Sequence, residues 1–146
     1  MKRFYFGLIL VLLVAACGPA LAPDDVENVF SEETVIVYGS SGGFAGLQQE
    51  WTIHTNGQID FPDGSQKQAD SEQVLTVFDA VQAANFQSLN TSYLPEDTCC
   101  DLFTYTVTVQ TGSEAHTITT MDNAPDVPDG LTAVLQTLDE LIQNAK

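Results

Sequence analysis

A strict alternation of apolar and hydroxyl side chains from Leu102 to Gln110 constrains the fold more than any other feature of this sequence. Four apolar or aromatic residues alternate there with three threonines, namely Phe103, Tyr105, Val107 and Val109 with Thr104, Thr106 and Thr108. Successive side chains of a β-strand point to opposite faces of its sheet, so the pattern predicts a strand with one buried face. The turn residues Thr111-Gly112-Ser113 then predict an antiparallel hairpin with a second strand from Ala115 to Thr120.

A second hairpin is predicted nearer the N-terminus. The β-branched and aromatic stretch Thr34 to Tyr38 predicts a strand that the glycines of Gly39 to Gly43 are expected to end. Alternation resumes from Leu47 to Thr55, and Asn56-Gly57 predicts a tight turn into a short strand from Gln58 to Phe61.

Two segments have the apolar period of an α-helix. The first runs from Ser71 to Asn85, with Asp70 or Ser71 as the N-cap, and the second is a leucine-rich closing helix from Leu131 to Ile142. The order of elements contains two hairpins and two helices without alternating parallel crossover units. It predicts an α+β fold, a two-layer sandwich in which an antiparallel sheet of about four to five strands carries both helices on one face.

The N-terminus has the pattern of a secretory signal peptide. Lys2 and Arg3 precede an apolar run that is too short to remain as a membrane-spanning helix. Val14-Ala15-Ala16-Cys17 resembles the lipobox of bacterial lipoproteins, which implies removal of residues 1–16 and lipidation of Cys17. The alternative is an ordinary signal peptide cut after Ala20 or Ala22. With lipidation, we expect an extracytoplasmic protein anchored in the cell membrane or outer membrane.

The remainder is predicted to form an acidic tether, residues 17–33, and a single domain, residues 34–146. After removal of the signal peptide, Lys67 and Lys146 are the only Lys or Arg residues, against twenty acidic ones. This negative charge excludes a nucleic-acid partner and disfavours anionic lipid headgroups. Attachment to the membrane must therefore come from the lipid.

Few residues suggest catalysis or metal binding. His54 and His116 are both predicted on the polar side of a strand, without the spacing of a zinc protease or a nucleophile motif, so no catalytic residue and no enzyme is predicted. Asp122, Asp126 and Asp129 offer oxygen ligands to calcium but lack the order of an EF-hand, and the prolines among them favour an approach to a helix. No metal or other cofactor is predicted.

The adjacent Cys99 and Cys100 leave several states open. In an oxidising compartment they can form a vicinal disulfide, pair between chains or remain free thiols. A vicinal disulfide constrains only the peptide between its two cysteines, so it would not cross-link distant parts of the fold.

Several stretches resemble the emfourin-like proteins, which are small inhibitors of thermolysin-like zinc metalloproteases. The resemblance begins with the glycine turn Ser41–Leu47 (SGGFAGL) and Glu50–Ile53, and it continues through Ala84–Phe86, Asp101–Val107 and His116–Ile118. It implies a non-catalytic, protein-binding domain that inhibits a secreted metallopeptidase by occluding its active-site cleft. The glycine turn lacks the spacing and the lysine of a phosphate-binding loop.

The resemblance also implies contact through loops that project from the sheet. The candidate contact residues in these loops are Ile59, Phe61 and Pro62 before the first helix, and Tyr93, Leu94 and Pro95 after it. Phe44 is expected to anchor the glycine turn against the sheet, and the alternative is that it forms an apolar tip that docks on a partner. Phe61 and Tyr93 are equally consistent with covering the edges of the core. The alternative function is a cell-envelope adhesion, scaffold or solute-binding lipoprotein without inhibitory activity. Loops that form one exposed patch would favour the inhibitor, and loops at opposite ends of the sheet would weaken that hypothesis.

Overall fold

A computed structural model describes residues 34–98 and 101–145. The predicted signal peptide, the tether, the lipidation of Cys17 and the pairing of Cys99 with Cys100 all lie outside these residues. No helix in the described part of the chain is long and apolar enough to cross a membrane.

Seven strands form one mixed sheet in the described residues. The strands are β1 (Thr34–Gly42), β2 (Leu47–His54), β3 (Gln58–Asp60), β4 (Gln66–Gln68), β5 (Ser92–Tyr93), β6 (Phe103–Thr111) and β7 (Glu114–Met121). Their spatial order is β4-β3-β2-β1-β6-β7-β5. All neighbours are antiparallel except β5 and β7, which run parallel.

The expected sheet of four to five antiparallel strands is therefore too small. The two additional strands, β4 and β5, lie at the two edges and contain only three and two residues. Segments so short cannot show a period of two, which is why the sequence did not reveal them. The chain reaches β5 after the first helix and joins β7 in the same direction, with the Thr119 N–H donating to the Thr91 carbonyl oxygen at 2.9 Å.

The first strand also continues through the glycines that were expected to end it. Gly39 pairs with Glu50 of β2 and with Thr106 of β6, and this double pairing continues to Gly42. Because hydrogen-bonded neighbours on both sides hold the backbone extended, these glycines remain in the strand. The turn is displaced to residues 43–46.

Two helices, α1 (Ser71–Ala83) and α2 (Asp129–Asn144), pack on one face of the sheet as predicted. The Asp70 side chain caps α1 by accepting from the Glu72 N–H at 2.9 Å. The helix ends before Asn85, which has a left-handed φ of 48°. The core between the layers contains Ile36, Tyr38, Trp51, Ile53, Ile59, Val107, Val109 and Ile118 from the strands, and Val74, Val77, Phe78, Val81, Leu131, Val134, Leu138 and Leu141 from the helices.

The opposite face of the sheet, here called the open face, has no helix over it in the described residues. Its side chains are those that alternate with the core residues along each strand. They are mainly polar, and they include Gly39, Ser41, Glu50, Thr52, Asp60, Thr104, Thr106, Thr108, Thr117 and Thr119.

Candidate protein-binding surface

The β1–β2 hairpin presents the most exposed large apolar side chain of the described residues. Phe44 is 94% exposed, and Leu47 at the start of β2 is 49% exposed. We call residues 43–47 the hairpin tip, and the end of the sheet where β1 finishes the tip end. The expectation that Phe44 anchors the turn against the sheet is therefore wrong, and its ring is free to contact another molecule.

Glycine lets the base of the hairpin tip pack closely against the start of β6. Gly42 has a φ of 127°, and a Cβ there would collide with the carbonyl oxygen of Leu102. The next residue, Gly43, donates its N–H to the same oxygen at 3.2 Å, and the Gly46 N–H donates to the Gly43 carbonyl oxygen at 3.0 Å. Only glycine satisfies both the positive φ and the close approach at Gly42.

The strand next to the hairpin tip is itself held by Asp122, at the end of β7. One carboxylate oxygen accepts from the Phe103 N–H at 2.8 Å, and the other accepts from the Tyr105 hydroxyl at 3.1 Å. Burial, together with the negative charge of Asp122, raises the pKa of Tyr105 to about 12. The Tyr105 ring stacks on Phe103 on one side and on Tyr38 on the other, with 6.5 Å between centroids in each pair. Stacked aromatic rings thus connect the tip end to the core.

Leu94 lies at the same end of the sheet as the hairpin tip. It follows β5, which runs parallel to β7 and in the same direction as β1, and it is 44% exposed. Three strand spacings, about 14 Å, separate β5 from β1. Of the four exposed large apolar residues in the described part of the chain, Phe44, Leu47 and Leu94 lie at the tip end, whereas Leu75 lies on α1.

The loop residues predicted before α1 are mostly structural. Ile59 is fully buried, so in this fold it belongs to the core and its side chain is not accessible to a partner. Phe61 is half-buried against the core, with the Lys67 ammonium 4.7 Å from its ring centroid. Among these three candidates, only Pro62 is exposed.

The loop residues predicted after α1 differ among themselves. Tyr93 packs half-buried against the core, and its hydroxyl accepts from the Asn90 N–H at 3.0 Å. Leu94 is exposed, and Pro95 is partly exposed. The two predicted loops lie at opposite edges of the sheet, with β2, β1, β6 and β7 between them, so they do not form one patch, and this separation weakens the inhibitor hypothesis as far as it rested on them. The exposed apolar surface is formed instead by the hairpin tip and Leu94.

Sequence reasoning missed Leu47 as an exposed residue, because it begins an alternating stretch and was assigned to the buried side of its strand. The first four residues of β2 are exposed, and the core begins only at Trp51. The one available signal was the position of Leu47 directly beside a glycine turn.

The two histidines lie in different environments. His54 Nε2 is 2.8 Å from Asp60 Oδ2, and the amides of Gln58 and Gln66 donate to the other Asp60 oxygen at 3.0 and 2.9 Å. The hydrogen bond from His54, followed by that from Gln58, lowers the pKa of Asp60. This network links β2, β3 and β4. Within the described residues, no hydroxyl or thiol is hydrogen-bonded to the His54 ring.

His116 was expected on the polar side of its strand, and that expectation is wrong. Its ring lies edge-on to Phe86, with 5.7 Å between centroids, and Nε2 is 3.2 Å from the Leu89 carbonyl oxygen. Residues 34–98 and 101–145 contain no group of three or more His, Cys, Asp or Glu side chains placed to hold a metal ion.

Comparison with known proteins gives a family match. The family model described as Emfourin matches residues 39–139 of the chain. The matched range includes the hairpin tip, Leu94 and most of α2. No curated protein matches the chain.

Proposed function

The chain belongs to the emfourin family, which is a family of protease inhibitors, and we propose that it inhibits a thermolysin-like metallopeptidase by placing its hairpin tip in the active-site cleft. The observation that carries the proposal is the 94% exposure of Phe44 on a hairpin whose base is fixed to β6. Binding hot spots are typically aromatic side chains that a partner buries completely.

The geometry of the hairpin favours tight binding. Complete burial of a phenylalanine side chain contributes about 1.5–3 kcal/mol. Because the backbone hydrogen bonds of Gly43 and Gly46 order the hairpin tip before binding, little further conformational entropy is lost when a cleft closes around Phe44. Leu47 and Leu94, which are also exposed at the tip end, add apolar surface for the partner to bury. Inhibition by occlusion requires no nucleophile from the inhibitor.

The experiment is a titration of a purified thermolysin-like protease with residues 17–146 carrying Cys17→Ser, a form that contains every core residue of the described structure. We expect inhibition that is competitive with a peptide substrate, because the hairpin tip and the substrate would occupy the same cleft. A chymotrypsin-like serine protease serves as the control and should stay active. Full protease activity at excess inhibitor, across a panel of thermolysin-like enzymes, would contradict the proposal.

We also propose that a lipid on Cys17 anchors the protein in the cell membrane or outer membrane, on the extracytoplasmic side. The sequence before Cys17 supports this, and so does the direction of β1. Thr34, where the tether joins the sheet, lies at the end opposite the hairpin tip, about 26 Å from Gly42. An anchor attached there leaves the hairpin tip unobstructed.

Mass spectrometry of the membrane-extracted protein tests the anchor. The proposal predicts a diacylglyceryl group on an N-terminal Cys17 and release of a Cys17→Ala variant from the membrane fraction. An unmodified N-terminus directly after Ala20 or Ala22 would contradict it.

A further inference from the structure

Gly39 lies in the middle of β1 on the open face, at a position where neither the backbone nor the packing requires glycine. Its φ lies outside the left-handed region, and a Cβ would approach Thr106 Cβ only to 3.7 Å, which is an ordinary contact. Glycine inside a strand weakens the strand, and it often marks a site where a ligand or another backbone approaches closely. The missing side chain leaves a notch in the open face.

This notch lies within a trough of about 660 Å³ on the open face. Register places Glu50 of β2 on one side of Gly39 and Thr106 of β6 on the other. The rest of the lining is mainly hydroxyl, amide and carboxylate groups, with Phe61 and Pro62 at one side. Such groups can donate to and accept from the backbone of a bound peptide.

The charge of the trough determines whether it attracts a cationic or an anionic ligand. Glu50 and Asp60 line it, and no Lys or Arg does so. Lys67, the one Lys or Arg in the described part of the chain, lies on the helix side of the sheet and donates to the Ala145 carbonyl oxygen at 3.4 Å. The whole chain has a net charge of −16. Anionic ligands are therefore repelled, and cationic ones are attracted.

We propose that the trough binds an extended basic segment of a partner protein, with a lysine or arginine side chain in the notch at Gly39 and its charge beside Glu50. The trough extends to Ser41 and Gln48, beside the hairpin tip, but residues 43–47 do not line it, so this site does not depend on the proposed protease inhibition.

The test is an NMR titration of ¹⁵N-labelled residues 17–146 with Cys17→Ser, using a blocked pentalysine peptide as the probe and pentaserine as the neutral control. We expect pentalysine to shift the amide signals of Gly39, Glu50 and Thr106 while leaving Phe44 unchanged. The affinity should fall as ionic strength rises, because the attraction is between exposed charges.

Two variants assign the contact to the notch. Glu50→Gln should weaken pentalysine binding roughly two- to fivefold, the range for one exposed charge pair. Gly39→Ala fills the notch and should weaken binding at least as much, while its melting temperature stays equal to or above that of the wild type. Glu114→Gln is the matched control, because it removes the same charge from the β6–β7 turn at the opposite end of the sheet and should leave binding unchanged.

Several results would overturn the proposal. Equal shifts with pentaserine would show that charge does not determine binding. Stronger binding of a neutral oligosaccharide such as chitohexaose at the same residues would identify the trough as a glycan site. Shifts that depend on protein concentration without peptide would identify a second copy of the chain as the occupant. Unfolding of Gly39→Ala would show that the glycine has a structural role, and unchanged binding by Glu50→Gln would contradict the predicted contact.

Discussion

Replacement of single glycines by alanine tests how the hairpin tip is held. In Gly42→Ala the backbone φ of 127° is unfavourable for alanine, and the new Cβ collides with the Leu102 carbonyl oxygen. In Gly46→Ala the φ of 59° is also positive, but no atom lies within 4 Å of the new Cβ. The two variants therefore make the same chemical change and differ in steric contact.

The structure predicts different losses in the free energy of unfolding for the two variants. At Gly46 the left-handed conformation alone costs roughly 1–2 kcal/mol, partly offset by the reduced entropy of the unfolded chain, so we expect a net loss of about 1 kcal/mol. At Gly42 the backbone strain is of similar size or larger, and β1 or β6 must also move to relieve the collision. We expect a loss of about 3 kcal/mol or more there.

Urea unfolding of residues 17–146 with Cys17→Ser measures both losses, and unchanged m-values would confirm that the comparison concerns stability alone. Because Gly42 sets the direction of the hairpin, its alanine variant should also inhibit a sensitive protease less well, although Phe44 is still present. Equal destabilisation by the two substitutions would refute the reasoning, since steric contact with Leu102 is the main difference between them.

Two further predictions concern the buried Tyr38 and the partly buried Tyr105. Tyr38→Phe removes the hydrogen bond that the Tyr38 hydroxyl donates to Asp139 at 3.0 Å, so we expect a loss of about 1 kcal/mol in urea unfolding; an unchanged midpoint would show that this bond does not stabilise the fold. The pKa of Tyr105 is raised from 10.0 to about 12, so its contribution to stability is complete below pH 10 and is lost as the pH rises towards 12. Melting temperatures should fall across that range, less steeply in Tyr105→Phe, and a flat profile in the wild type would contradict this expectation.

The long strands and both helices were predictable because their patterns extend over many residues. The alternation through β6 and the helical period of α1 follow from burial on one side, which sequence reports directly. β4 and β5 contain three and two residues, and their existence depends on neighbours distant in the chain. The extension of β1 through Gly39 likewise depends on pairing with two strands at once, which overrides the local preference of glycine.

The binding surface was predictable only in part. Phe44 was expected to pack the glycine turn against the sheet, with an apolar docking tip as the alternative, and the structure instead places its ring almost fully in solvent. Ile59 was a candidate in the predicted short strand before the first helix, but its side chain points into the core, since its position in β3 fixes the face to which it belongs. Side-chain direction near strand ends depends on the pairing register of the strand, and a short stretch of sequence does not determine that register.

The measurement that tests the central claim most directly is the inhibition constant of Phe44→Ala against a thermolysin-like protease, compared with that of Leu75→Ala. Both replace an exposed apolar residue, but Leu75 lies on α1, away from the tip end. We predict that Phe44→Ala raises the inhibition constant roughly 30-fold, equivalent to about 2 kcal/mol, and that Leu75→Ala leaves it within about twofold. Equal inhibition by the wild type and Phe44→Ala would contradict the claim that the hairpin tip enters the cleft.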